Sequence, residues 1–190
     1  MTDQIRELFQ RIEELERRVG QMVVRGKIKE VDPSKALAKV EYGEGLATGW
    51  LPWKPIRTGK AIVWWVPEVG EGVTVISEGD LVLGEIYPGS YHSGFPAPSD
   101  DPELFLVQFG EGSEISHNRA DSKLTVINKG DVTVTADGAV TAKAKGSITV
   151  ETEQTLTVKS ASDMKLDSGG NMDLNASGNI KLSASRIDFN

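Results

Sequence analysis

The chain has 190 residues, of which 38% are hydrophobic and 6% aromatic, and it carries a formal charge of −7. That is room for one modest domain plus something extended, and the acidic balance argues against a surface built to neutralise nucleic-acid phosphates. Cysteine is absent, which removes disulfides and thiolate metal sites, and no apolar run reaches the ~18 residues that cross a bilayer.

The first stretch, TDQIRELFQRIEELERRVGQM, places Ile5, Leu8, Ile12, Leu15 and Val19 at alternating spacings of three and four, an a/d heptad stripe. Residues 1–22 are therefore expected to form a helix that starts near Thr2, stops near Gly20 and joins copies of the chain. The alternative is an amphipathic helix laid on its own domain. The N-terminus lacks the apolar core of a secretory signal, so synthesis and assembly in the cytoplasm are expected.

Residues 23–92 read as short strands: VVRGKIKEVD, ALAKVEYG, LATGWLPW, AIVWWVPEVG, GVTVISEG and LVLGEIYPG. Asp-Pro, Gly-Glu-Gly and Pro-Gly turn signals separate them. Five or six strands in so short a span fit a small closed barrel of the OB type. Such barrels can bind single strands through aromatics and basic grooves. All four tryptophans, Trp50, Trp53, Trp64 and Trp65, lie here, but the basic residues are matched by acidic ones. Core packing and protein contacts are the expected use of these rings, with no nucleic acid.

Residues 93–121 form a connector rich in Pro, Gly and Ser, in which LFLVQF suits one strand. Asp100 and Asp101 are adjacent in a turn-like stretch, which suits a solvated loop better than paired catalytic carboxylates. Ser113 and Ser116 near His117 lack any nucleophile context, and no Gly-Glu-Gly is followed by the Lys-Ser/Thr of a phosphate loop. No enzyme, no small-molecule substrate and no cofactor are expected.

From residue 122 to 185 the chain repeats every eight residues. Leu124, Val132, Val140, Ile148, Leu156, Met164, Met172 and Ile180 share one phase. Two places on, Val126, Val134, Ala142, Val150, Val158, Leu166, Leu174 and Leu182 share another. Thr, Lys or Asp stands between the two columns, so each octad is expected to hold a short strand with one buried face. An octad spans about 26 Å at ~3.3 Å per residue, too little to encircle a core alone. Either three octads of one chain make each turn, or three chains supply one octad each. The first route would complete fewer than three turns and leave both ends needing caps; the second gives a trimeric prism of about 40 Å, at ~4.8 Å per layer. The small aliphatic inward residues suit an axis shared by three chains. At Arg186, Ile187, Asp188, Phe189 and Asn190 the apolar phase slips by one, to Ile187 and Phe189, which is expected to close the prism as a tip.

The stretches GWLPW (Gly49 to Trp53), WWVPEVGEGVTVIS (Trp64 to Ser77) and GDLVLGEIY (Gly79 to Tyr87), followed by the octads, resemble the bacteriophage baseplate assembly protein V family. These are the central spikes of contractile tails and of bacteriocins such as R-type pyocins. The resemblance implies an all-β chain: an OB domain bound to a baseplate hub protein, then an intertwined trimeric β-helix. It implies residence in the baseplate of a phage or bacteriocin particle, assembled in the bacterial cytoplasm. The implied action is mechanical perforation of the target cell's outer membrane, through transient contact, when the sheath contracts. Many relatives carry a His-x-His pair that holds iron at the tip. Here His92 and His117 are the only histidines, so that form of tip is not expected; a ring of Asp188 or Asn190 round an axial ion is the alternative to plain polar capping. The connector is too short for the lysozyme domain of some phage spikes. A receptor- or glycan-binding trimeric fibre or adhesin stalk is the competing reading. A type VI secretion spike would need a large hub region fused in the same chain.

Overall fold

The computed structural model describes residues 2–110 and 112–188, so Phe189 and Asn190 of the expected tip lie outside the described residues. The chain divides into two compact units, Met1–Val132 and Thr133–Asn190.

The first unit opens with helix α1, Thr2–Met22, which runs through Gly20 rather than stopping there. Nothing approaches Gly20 closely, and the helix ends where other groups take its last carbonyls. The Ser77 backbone N–H donates to Met22 O at 2.9 Å, and the Ser77 hydroxyl donates to Gln21 O at 2.6 Å. The chain then passes directly into strand β1, Val23–Asp32.

Strands β2 (Leu37–Gly43), β3 (Leu46–Ala47), β4 (Leu51–Pro52), β5 (Gly72–Ile76) and β6 (Glu85–Ser90) follow. Antiparallel pairing runs β3-β2-β1-β5-β6, and β4 pairs with β2. Closure comes from a parallel bridge between Trp53 and Ile86, supported by Lys54 N–H donating to Ile86 O at 2.8 Å. The sheet thus curls into the expected barrel. β1 and β2 come so close at Gly26 that a side chain there would strike the Glu41 carbonyl, which explains a glycine inside a ten-residue strand. Alternate residues point inward, and Ile28, Ala38, Val40, Leu51, Trp53, Val73, Val75, Leu81 and Ile86 form the core. A single 3-10 turn, Leu81–Leu83, leads into β6; its N-cap Asp80 accepts from Val82 N–H at 2.9 Å.

The run AIVWWVPEVG is not a strand. Apart from one bridge between Thr58 and Ile62 it is irregular, and Ile62, Trp64 and Trp65 are exposed. Its apolar residues cover neighbouring rings instead of alternating on a ladder.

Past the barrel, β7 (Leu104–Gln108), β8 (Glu114–Asn118) and β9 (Lys123–Ile127) make an antiparallel meander in the order β7-β8-β9. The connector therefore holds two strands, not one. Leu124 and Val126, the first residues of the two octad columns, lie on β9.

In the second unit, residues 133–188 carry no strand ladder, and every one of them is exposed. The backbone bends at 137–138, 145–146, 153–154, 161–162, 169–170, 177–178 and again at 185. The bend period equals the sequence period. A strand needs a hydrogen-bonded neighbour, and one copy of this segment does not supply it to itself.

Candidate functional site

The chemistry of this chain lies in uncovered apolar surface. On α1, the stripe residues Ile5, Leu8, Ile12, Leu15 and Val19 are all exposed, with Leu8 at 58% and Leu15 at 59%. The helix is not laid on its own barrel. It touches the barrel at its C-terminal end, through Ser77 and through Arg18, whose guanidinium donates to Glu78 O at 3.4 Å. Phe9 and Met22 widen and lengthen the stripe, and both are exposed. Sequence reading misses them, although Met22 follows Val19 by three, the a-to-d step. Phe9 is an immediate neighbour of Leu8 and so falls outside a strict a/d count.

The four tryptophans do not share one platform. Trp53 is buried in the barrel core, and Trp64 leans on it with ring centroids 5.6 Å apart. Trp65 stacks on Phe109 at 5.8 Å with planes 9° apart. Trp50 lies under the Lys39 ammonium at 4.6 Å, and that ammonium also pairs with Glu30 at 2.9 Å. A groove of about 280 Å³ runs beside Trp53 and Trp65, lined also by Pro55, Ile56, Val63 and Pro88. Its apolar walls suit packing against another surface.

The polar residues weighed as catalytic candidates are engaged in turns and on strand β8. Asp101 accepts from Glu103 N–H and from the Asn118 amide, each at 2.9 Å. Ser113 accepts from Lys129 N–H at 3.1 Å, and Ser116 donates to Glu114 at 3.4 Å. His117 sits mid-strand on β8, between Phe105 and Leu124. His92 bridges two backbone groups, with Nε2 at 3.0 Å from Gly70 O and Nδ1 accepting from Gly94 N–H.

The titration shifts are those of surface pairs. Hydrogen bonds from Ser34 and Lys35 hold the Asp32 carboxyl below its ordinary range. Arg17 does the same for Glu14, and Glu85 raises the Lys54 ammonium.

The octad columns fill the second unit. Val132 and, within that unit, Val134, Val140, Ala142, Ile148, Val150, Leu156, Val158, Met164, Leu166, Met172, Leu174, Ile180 and Leu182 are exposed without exception, from 51% at Met172 to 77% at Val134. Leu124 and Val126 on β9 are exposed as well. Of the expected tip, Arg186 pairs with Asp188 at 2.8 Å, and Ile187 is exposed.

The first unit thus joins a six-stranded barrel, closed through Trp53, to a helix tethered at its C-terminal end, and the second carries the exposed octads. Residues 24–91 match the family described as the type VI secretion system/phage-baseplate injector OB domain. The chain is also similar to the spike protein of Escherichia phage P2, 34% identical over 125 residues. That match covers 65% of this chain and 59% of the relative's length. Both matches agree with the resemblance to the baseplate assembly protein V family.

Proposed function

We propose that this chain is the mechanical central spike at the baseplate of a contractile phage tail or phage-tail-like bacteriocin. It acts as a homotrimer whose octads form an intertwined β-helix. A baseplate hub protein holds the barrel end. When the sheath contracts, the prism perforates the outer membrane of the target cell.

One observation carries the reading: sixteen column residues at an eight-residue period, all exposed in the single chain. Fully burying a Val, Leu, Ile or Met side chain is worth about 1.5–3 kcal/mol, so a row of this length is a strong drive to associate. The uncovered stripe on α1 drives the same association at the other end of the chain. The barrel's match to injector OB domains and the similarity to a phage spike support the baseplate setting. Three chains suit the octads because each need form only one side of a layer. At Ile187 the slipped phase gives a point where the column pattern ends and the axis is closed.

Light scattering coupled to sizing of the full chain tests this directly: three chains are expected, and a monomer at micromolar concentration overturns it. Binding of the full chain to a glycan array would favour a receptor-binding fibre instead.

A further inference from the structure

We propose that the octads of neighbouring copies stack with a displacement of one octad, so that residue i of one copy lies beside residue i+8 of the next, and that alternating charges in three outward columns set this register. The proposal rests on the assembly reading above.

The bends at fixed eight-residue intervals give each residue the same place in its octad as the residue eight further on. Asp137, Lys145 and Glu153 stand at successive bends. Lys143, Glu151, Lys159 and Asp167 stand two residues before successive bends. Lys165, Asp173 and Lys181 stand between the two apolar columns. All are exposed. In each column the sign alternates from one octad to the next. Strands in adjacent layers lie ~4.8 Å apart, and side chains at matched positions then touch.

The signs discriminate between registers. With a displacement of eight, the charged pairs are Asp137–Lys145, Lys145–Glu153, Lys143–Glu151, Glu151–Lys159, Lys159–Asp167, Lys165–Asp173 and Asp173–Lys181. Every one is of opposite sign, and within residues 133–190 no like-sign pair arises. With a displacement of sixteen the pairs are Asp137–Glu153, Lys143–Lys159, Glu151–Asp167 and Lys165–Lys181, all of like sign. With none, each column stacks on itself, like on like. With twenty-four, as when one chain coils three octads per turn, Lys143–Asp167 alone survives as a charged pair. Like charges placed directly opposite across strands are destabilising, so the pattern favours a displacement of eight, penalises none and sixteen, and gives twenty-four a single favourable pair. The partner that fits this surface is a second copy of the same chain, parallel and one octad behind. Within the isolated chain Lys165 reaches Asp167 at 2.8 Å, a local exposed pair that does not recur at the other octads.

The chain has no cysteine, so paired cysteines report the register cleanly. In the full chain, Thr149→Cys with Thr157→Cys is expected to give covalently linked trimers on oxidation, because adjacent strands meet disulfide spacing. Thr141→Cys with Thr157→Cys is expected to give none. Linking by the second pair, or by neither, in a protein that still sizes as three chains overturns the register and leaves the spike reading standing; a monomer overturns both. A second measurement tests the charges. Glu151→Lys should lower the melting temperature of the assembly by about 5 °C at low salt. Inverting the whole column, Lys143→Glu, Glu151→Lys, Lys159→Glu and Asp167→Lys, should restore it. Failure of the inversion to restore stability removes the role given to the charges.

Discussion

Ser77 joins two elements that are far apart in sequence. It is 8% exposed, its hydroxyl donates to Gln21 O, and the same oxygen accepts from Gly79 N–H at 3.1 Å. Removing the hydroxyl leaves a helix carbonyl and a buried N–H without partners. Ser77→Ala is therefore expected to destabilise the first unit by about 1–3 kcal/mol, read as a lowered melting temperature. Faster amide exchange at residues 20–22 should accompany it, because the helix end loses its anchor. An unchanged exchange rate there would show that the backbone bond from Ser77 N–H to Met22 O suffices. No reading of the sequence singles out this serine, since its partners lie on a different element and nothing local marks it. Gly26 is legible only in hindsight for the same reason: the carbonyl it makes room for belongs to β2.

At the scale of the element, α1, β1 and β5 follow from local pattern. The run VVRGKIKEVD coincides with β1, and the heptad stripe coincides with one face of α1. The misreadings have physical causes. AIVWWVPEVG looks like a strand because its apolar residues are contiguous, yet Trp64 tilts against Trp53 and Trp65 stacks on Phe109 instead of pairing. EISHN carries one strong apolar residue, and its strand character comes from β7 and β9 bonding on both sides. The stripe on α1 is uncovered in the single chain, and a helix of this length is marginal in water when left alone. Ile12→Lys is thus expected to lower the helical circular-dichroism signal while the barrel's unfolding transition stays in place. Unchanged helicity would mean that the stripe has no partner.

For the whole molecule, the two units depend on different things for stability. The barrel carries its own buried core, and residues 133–188 bury nothing by themselves. Denaturant unfolding should therefore resolve two transitions. The barrel transition should not move with protein concentration, whereas the octad transition should rise with it, as mass action requires of a segment folded only in the assembly. A single concentration-independent transition would contradict that division. The apolar columns were readable because they repeat; the short strands expected in the octads do not form over residues 133–188 of the single chain, because strands are a property of pairs. The charge columns were equally present in the residues but go unread when octads are scanned for apolarity alone.

The eight-residue bend interval and the alternating signs have different periods, since the charges return to the same sign only every sixteen residues. Excising one octad, such as 144–151, would keep every bend in phase yet set Lys143 beside Lys159 and Asp137 beside Glu153. Excising two, 144–159, would set Lys143 beside Asp167 and leave no like pair in those columns. On the proposed register, the columns around Lys143 therefore distinguish the two deletions: removing one octad there sets like charges side by side, and removing two does not.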